Sequence, residues 1–162
     1  FVKLLSNERE AALDLFSRAR SHGLNQDELG SGAQMLLDAA LSALNEGVEA
    51  YEGLDLERAR ARFERAVELD PGLLSAHNHL GVVCYQAEDD EAAIKHWGEV
   101  WRVALADGLV LPEPVEINLA RAYVRSGAVE DAKRILKESL EASPKGPHSA
   151  GVQRYLDAIS VE

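Results

Sequence analysis

The sequence predicts an all-α protein built from repeated helix-turn-helix units, and three observations carry that expectation. Glycine (12) and proline (5) are sparse among 162 residues and fall in clusters, while Ala, Leu, Glu and Arg fill the stretches between them. That is the composition of helices joined by short loops. Strictly alternating β-branched runs, the mark of half-buried strands, are absent. Finally, a set of apolar and small positions recurs at a nearly constant spacing.

The elements follow in order. A first helix is expected over residues 7–21, opened by the capping box Asn7-x-x-Glu10 and closed at Gly23. The polar linker HGLNQDELGSG comes next. Helices are then expected over 34–51 and 55–69, the latter stopped by Asp70-Pro71-Gly72. A fourth spans 74–87, and a fifth, over 91–106, is capped by Asp89 or Asp90. The sixth covers 113–125 with proline near its start, and the seventh 129–142. After Pro144-Lys145-Gly146-Pro147 an amphipathic helix over about 149–159 completes the chain.

Self-similarity orders these helices into units. Ala59, Phe63, Ala66 and Pro71 recur 34 residues later as Ala93, Trp97 and Val100, and again as Ala132, Leu136, Ser139 and Pro144. The second step is 39 residues, an insertion of 5 that falls in ALADGLVLPEP, where the helix carrying Trp97 is expected to run on. The preceding helices repeat as well: Leu80-Gly81 with Cys84 and Tyr85, Leu119-Ala120 with Tyr123, and more weakly Gly47 with Tyr51.

These residues resemble the tetratricopeptide repeat (TPR) family, whose 34-residue unit carries a Leu-Gly pair, an aromatic, then small, aromatic, small and proline in fixed order. The match covers about residues 40–144. It departs from the pattern in lacking the opening Trp, in Glu46 standing where Leu is expected, and in the missing proline that closes the second unit. The resemblance implies an α-α superhelix: an N-terminal helix and linker (1–32), units at 33–71, 72–112 and 113–146, and a C-terminal capping helix (147–162). Ala12, Phe16 and Ala19 repeat the spacing of a second helix, so the first helix is either a degenerate half-repeat or an unrelated cap.

The resemblance further implies binding of a peptide segment or helix of another protein on a concave face lined by the first helix of each unit. Carried over position by position, that face holds Leu41, Leu44, Val48, Tyr51 and Glu52, then Asn78, His79, Val82, Tyr85 and Gln86, then Ile117, Asn118, Arg121, Val124 and Arg125. Arg121 and Arg125, one helical turn apart, can hold a carboxylate, or else pair with Glu116 and neighbouring acids. The subfamily that grips the carboxylate tails of heat-shock chaperones uses lysine, arginine and asparagine. The matching positions here are Leu44, Val48, His79, Pro114 and Asn118, so that clamp is not expected.

Composition narrows the partners. A net charge of −11 has the wrong sign for nucleic acid or anionic lipid. The charge is uneven: 4 basic and 9 acidic residues over 33–71, 2 and 6 over 72–112, 6 and 6 over 113–146. No apolar stretch is long enough to cross a membrane. Starting at Phe1, the chain reads as a piece of something longer, cytoplasmic or periplasmic, with any upstream targeting segment out of view.

Chemistry is not expected within these residues. No phosphate loop, nucleophile elbow or His-Glu-x-x-His run occurs. His77 and His79 are two apart on a helix and diverge, and His96 has no evident second ligand. Cys84, the sole cysteine, sits in an apolar stripe as a buried thiol. Trp97 belongs to the repeat core, and Trp101 is expected to pack the extended helix beside the insertion rather than form a ligand platform. The expected function is a non-catalytic adaptor with no cofactor and no metal. A self-assembling scaffold, and the recruiting arm of a larger enzyme, are the alternatives.

Overall fold

A computed structural model describes residues 30–111 and 113–160. Among the described residues there are seven helices and no strand: α1 (Gly30–Glu52), α2 (Leu56–Leu69), α3 (Leu74–Gln86), α4 (Asp90–Asp107), α5 (Val115–Arg125), α6 (Val129–Ala142) and α7 (Ser149–Ser160). The all-α expectation holds, and the helix expected over 7–21 lies outside the described residues. Two compact units divide the chain, one ending at His79 and the other beginning at Leu80, so that the division falls within α3.

The recurring positions are the buried ones. Ala59, Phe63 and Ala66 are buried along α2, Ala93, Trp97 and Val100 along α4, and Ala132, Leu136 and Ser139 along α6. In the first unit Ala40, Ala43, Leu44 and Ala50 of α1 are buried together with that face of α2. In the second, Trp97 and Val100 cluster with Cys84, Val115, Leu119 and Ile135. A further cluster joins Ala120, Ala132 and Leu136 to Val152 and Leu156 of α7. That helix leaves Gln153, Arg154 and Asp157 exposed.

One small residue in each first helix is matched to one large residue in the second. A Cβ built on Gly47 would lie 2.5 Å from Phe63 Cε1, and one on Gly81 2.5 Å from Trp97 Nε1. At the third recurrence the large residue is only leucine, Leu136, and its small counterpart is Ala120, fully buried in the same cluster. The permitted side chain thus scales with what it faces.

Three turns repeat as faithfully as the helices. Leu54, Glu88 and Gly127 all have positive φ, at 62°, 60° and 86°. Each donates its N–H three residues back (to Tyr51, Tyr85 and Val124), and the next residue donates five back (to Ala50, Cys84 and Tyr123). This is the Schellman arrangement that satisfies the last carbonyls of a helix. The residue after the left-handed one also opens the following helix. Asp55 accepts from Arg58 N at 3.1 Å and Asp89 from Ala92 N at 3.2 Å, whereas Ala128 makes no side-chain cap. Ala128→Asp is therefore expected to stabilise the protein by about 1 kcal/mol. A rise in thermal midpoint checks this; an unchanged midpoint refutes it.

The insertion appears as length. α4 has 18 residues against 14 for α2, and ends on left-handed Gly108 (φ 63°). The helix expected from residue 113 begins instead at Val115, with Pro114 as its N-cap. Proline there has no N–H to lose and cannot cap with its side chain. Asp89, of the two candidate caps, is the one used.

Candidate functional site

Of the positions carried over from the resemblance, Leu44 belongs to the core, 3% exposed, because it lies on the face of α1 that is buried, and the others range from half-buried to exposed. In the first unit Val48 and Tyr51 on α1, and Asn78 and His79 on α3, are half-buried, while Glu52 is exposed. His79 lies against the core: its ring centroid is 4.9 Å from that of Phe63, and its Nδ1 is 2.7 Å from Ser75 O. In the second unit Val82, Tyr85 and Asn118 are half-buried, and Gln86, Arg121 and Arg125 are exposed.

Four of the second unit's side chains gather. Tyr85 packs its ring 5.7 Å from Trp97, and the Arg125 guanidinium lies 3.6 Å from the Tyr85 ring centroid, a close cation–π contact. Arg125 Nε donates to both Asp90 carboxylate oxygens, at 2.7 and 2.8 Å, and Nη2 donates to Tyr85 O at 2.7 Å. Asp90 raises the arginine's pKa further. Arg121 projects over Tyr155, 5.9 Å from its centroid, and burial pushes the Tyr155 phenol pKa up while Arg121 opposes the shift. The acid bound to Arg125 is thus Asp90, 35 residues away, rather than Glu116. A ligand carboxylate meets Arg121 with Arg125 already engaged.

A second concavity was not legible in the sequence. A cleft of about 190 Å³ lies in the second unit, bounded by the end of α4 and residues 108–111, the first turn of α5, the end of α6 and residues 146–149. Trp101 lines it, beside the insertion as expected, and the five-residue insertion supplies one wall. Two buried polar residues line it, Glu116 at 5% exposed and Ser139 at 8%, and Glu116 is the ionisable one. Burial pushes that carboxyl pKa up, opposed by its own backbone N–H and by His148. His148 Nε2 is 3.1 Å from Leu111 O and donates to it, bracing the loop. The Trp101 indole N–H is buried with no acceptor among the described residues. Leu105, Leu109 and Val110 are exposed around the cleft, by 42%, 47% and 73%.

Elsewhere the groups with chemical potential are packed away. Cys84 is fully buried, and His77 is buried with Nε2 3.1 Å from Pro71 O. Among the described residues no three His, Cys, Asp or Glu side chains are placed to hold a metal ion, and no helix is long and apolar enough to cross a membrane.

The hairpin geometry matches a solved structure, the N-terminal domain of stress-induced protein-1 (STI-1) from C. elegans, at a TM-score of 0.65 over 77% of this chain and 97% of that one. The fold is that of tetratricopeptide repeats. Sequence identity in that comparison is 17%, so the likeness is one of fold. No family model matches the chain, and no curated protein matches it.

Proposed function

We propose that the protein is a non-catalytic interaction module that holds a peptide segment or helix of another protein against the first helices of its repeats. The observation that carries this reading is the half-buried, mixed character of the recurring first-helix register. Val48 and Val82 stand 34 residues apart in that register, as do Tyr51 and Tyr85, and all four are half-buried. Side chains fully committed to the core at these places would be closed to water, as Leu80 and Leu119 are. Phenol, amide and guanidinium groups on these helices orient a partner through hydrogen bonds, and the valines add apolar contact. Tyr51, Asn78, Tyr85, Arg121 and Arg125 are assigned to orientation, with Glu52, His79, Gln86 and Asn118 beside them. Arg125 acts by holding the Tyr85 ring from above.

The double substitution Tyr85→Ala with Arg121→Glu is expected to abolish capture of a partner from lysate while leaving the far-ultraviolet circular dichroism unchanged. Capture that survives the double substitution would move the site off this face.

A further inference from the structure

The cleft at the end of α4 has a composition that selects its occupant. Its volume, about 190 Å³, is below the roughly 300–1,000 Å³ of small-molecule sites. It exceeds the roughly 150 Å³ cavity that admits a benzene ring. That is the scale of one side chain. Three exposed apolar residues (Leu105, Leu109 and Val110) surround it, which suits a site covered by the flanks of a larger partner.

The electrostatics favour a cation. Among the described lining residues there is no lysine or arginine, and Glu116 is the one carboxylate. Two helices, α4 and α6, bring their C-terminal turns to the wall through Ala104, Leu105, Ser139 and Ala142. Helix C-termini carry partial negative charge. The N-termini of α5 and α7 also reach the cleft, through Glu116 and Ser149. At α5, Ile117 N and Asn118 N donate to Pro114 O, and at α7 Ser149 N donates to Gly146 O and Gly151 N and Val152 N donate to His148 O. Most of the amides that would meet an anion there are therefore engaged. A buried carboxylate in an apolar wall gains most from a charge-assisted partner.

We propose that this cleft receives a lysine side chain of a protein partner, its methylene stem against Leu105 and Leu109 and its ammonium on the Glu116 carboxylate. Lysine suits the site because a flexible aliphatic stem ends in a compact point charge. The site is separate from the first-helix register proposed above, so its fate does not depend on that reading.

The test is a titration of the uniformly ¹⁵N-labelled chain with N-acetyl-lysine N-methylamide and with its uncharged analogue N-acetyl-norleucine N-methylamide. The lysine compound is expected to shift the Trp101 indole and the Gly108 and Ser149 amide resonances, with norleucine binding about tenfold more weakly. Glu116→Gln should bring lysine down to the norleucine level. Because that substitution alters a buried group, Leu105→Arg provides a second arm: position 105 is 42% exposed, and a cation there should abolish the lysine response with the rest of the spectrum intact. Equal responses to lysine and norleucine, a lysine response that survives both substitutions, shifts away from the cleft, or no shifts would each overturn the proposal.

Discussion

Gly81→Ala is expected to destabilise the protein by about 2 kcal/mol, because a methyl group there overpacks a rigid ring. The added Cβ would lie 2.5 Å from Trp97 Nε1 and 2.6 Å from both Cδ1 and Cε2. The indole cannot swing away freely, since Tyr85 packs 5.7 Å from it and Arg125 covers Tyr85. Helix propensity alone would favour alanine by about 1 kcal/mol, so a net loss isolates the clash. The third repeat shows the remedy: Ala120 is accommodated opposite Leu136. Gly81→Ala combined with Trp97→Leu should therefore cost less than the sum of the two changes, by at least about 1 kcal/mol in a double-mutant cycle. Urea midpoints of the four proteins measure this, and additive effects would refute the size matching.

Phe63→Ala is expected to be costlier still, by about 3–5 kcal/mol, the range for truncating a fully buried aromatic. Phe63 is 0% exposed. It fills the space left by Gly47 on one side and stacks on His79 on another. On the Gly47 side no side chain can extend to close the void, so the site collapses poorly and the cavity cost persists. His79→Ala removes the ring contact and should cost about 1 kcal/mol. A Phe63→Ala midpoint within 1 kcal/mol of the parent, on the scale of minor core changes, would show that the hairpin does not depend on this residue.

Such sensitivity follows from how few large residues each hairpin contains. The chain's aromatics amount to 6% of its residues. Each repeat leans on one bulky side chain of its second helix, surrounded by alanines that bring the helices close. The same economy made the repeats legible, because a single aromatic between small residues recurs as a visible motif. It also made Gly47 a weaker sign than Gly81, since Glu46 precedes it where Leu80 precedes Gly81.

Over the described residues, the sequence by itself determined the helices and the place of the insertion. These depend on local periodicity, on caps such as Asp89, and on a spacing that shows which residues face inward. It did not reveal the left-handed turns at Leu54 and Glu88, because neither is the glycine that normally marks them. Nor did it assign Asp90 to Arg125, or bring Glu116, Trp101 and His148 to one cleft. Those arrangements join residues from separate helices, here 35 apart for the ion pair and 37 for His148 with Leu111. Which of many exposed acids an arginine meets, and which loop closes over a carboxylate, is fixed by the rotation and length of packed helices. Only the tertiary structure decides that, because periodicity specifies the face a helix buries but not the partner each side chain finds at its edge.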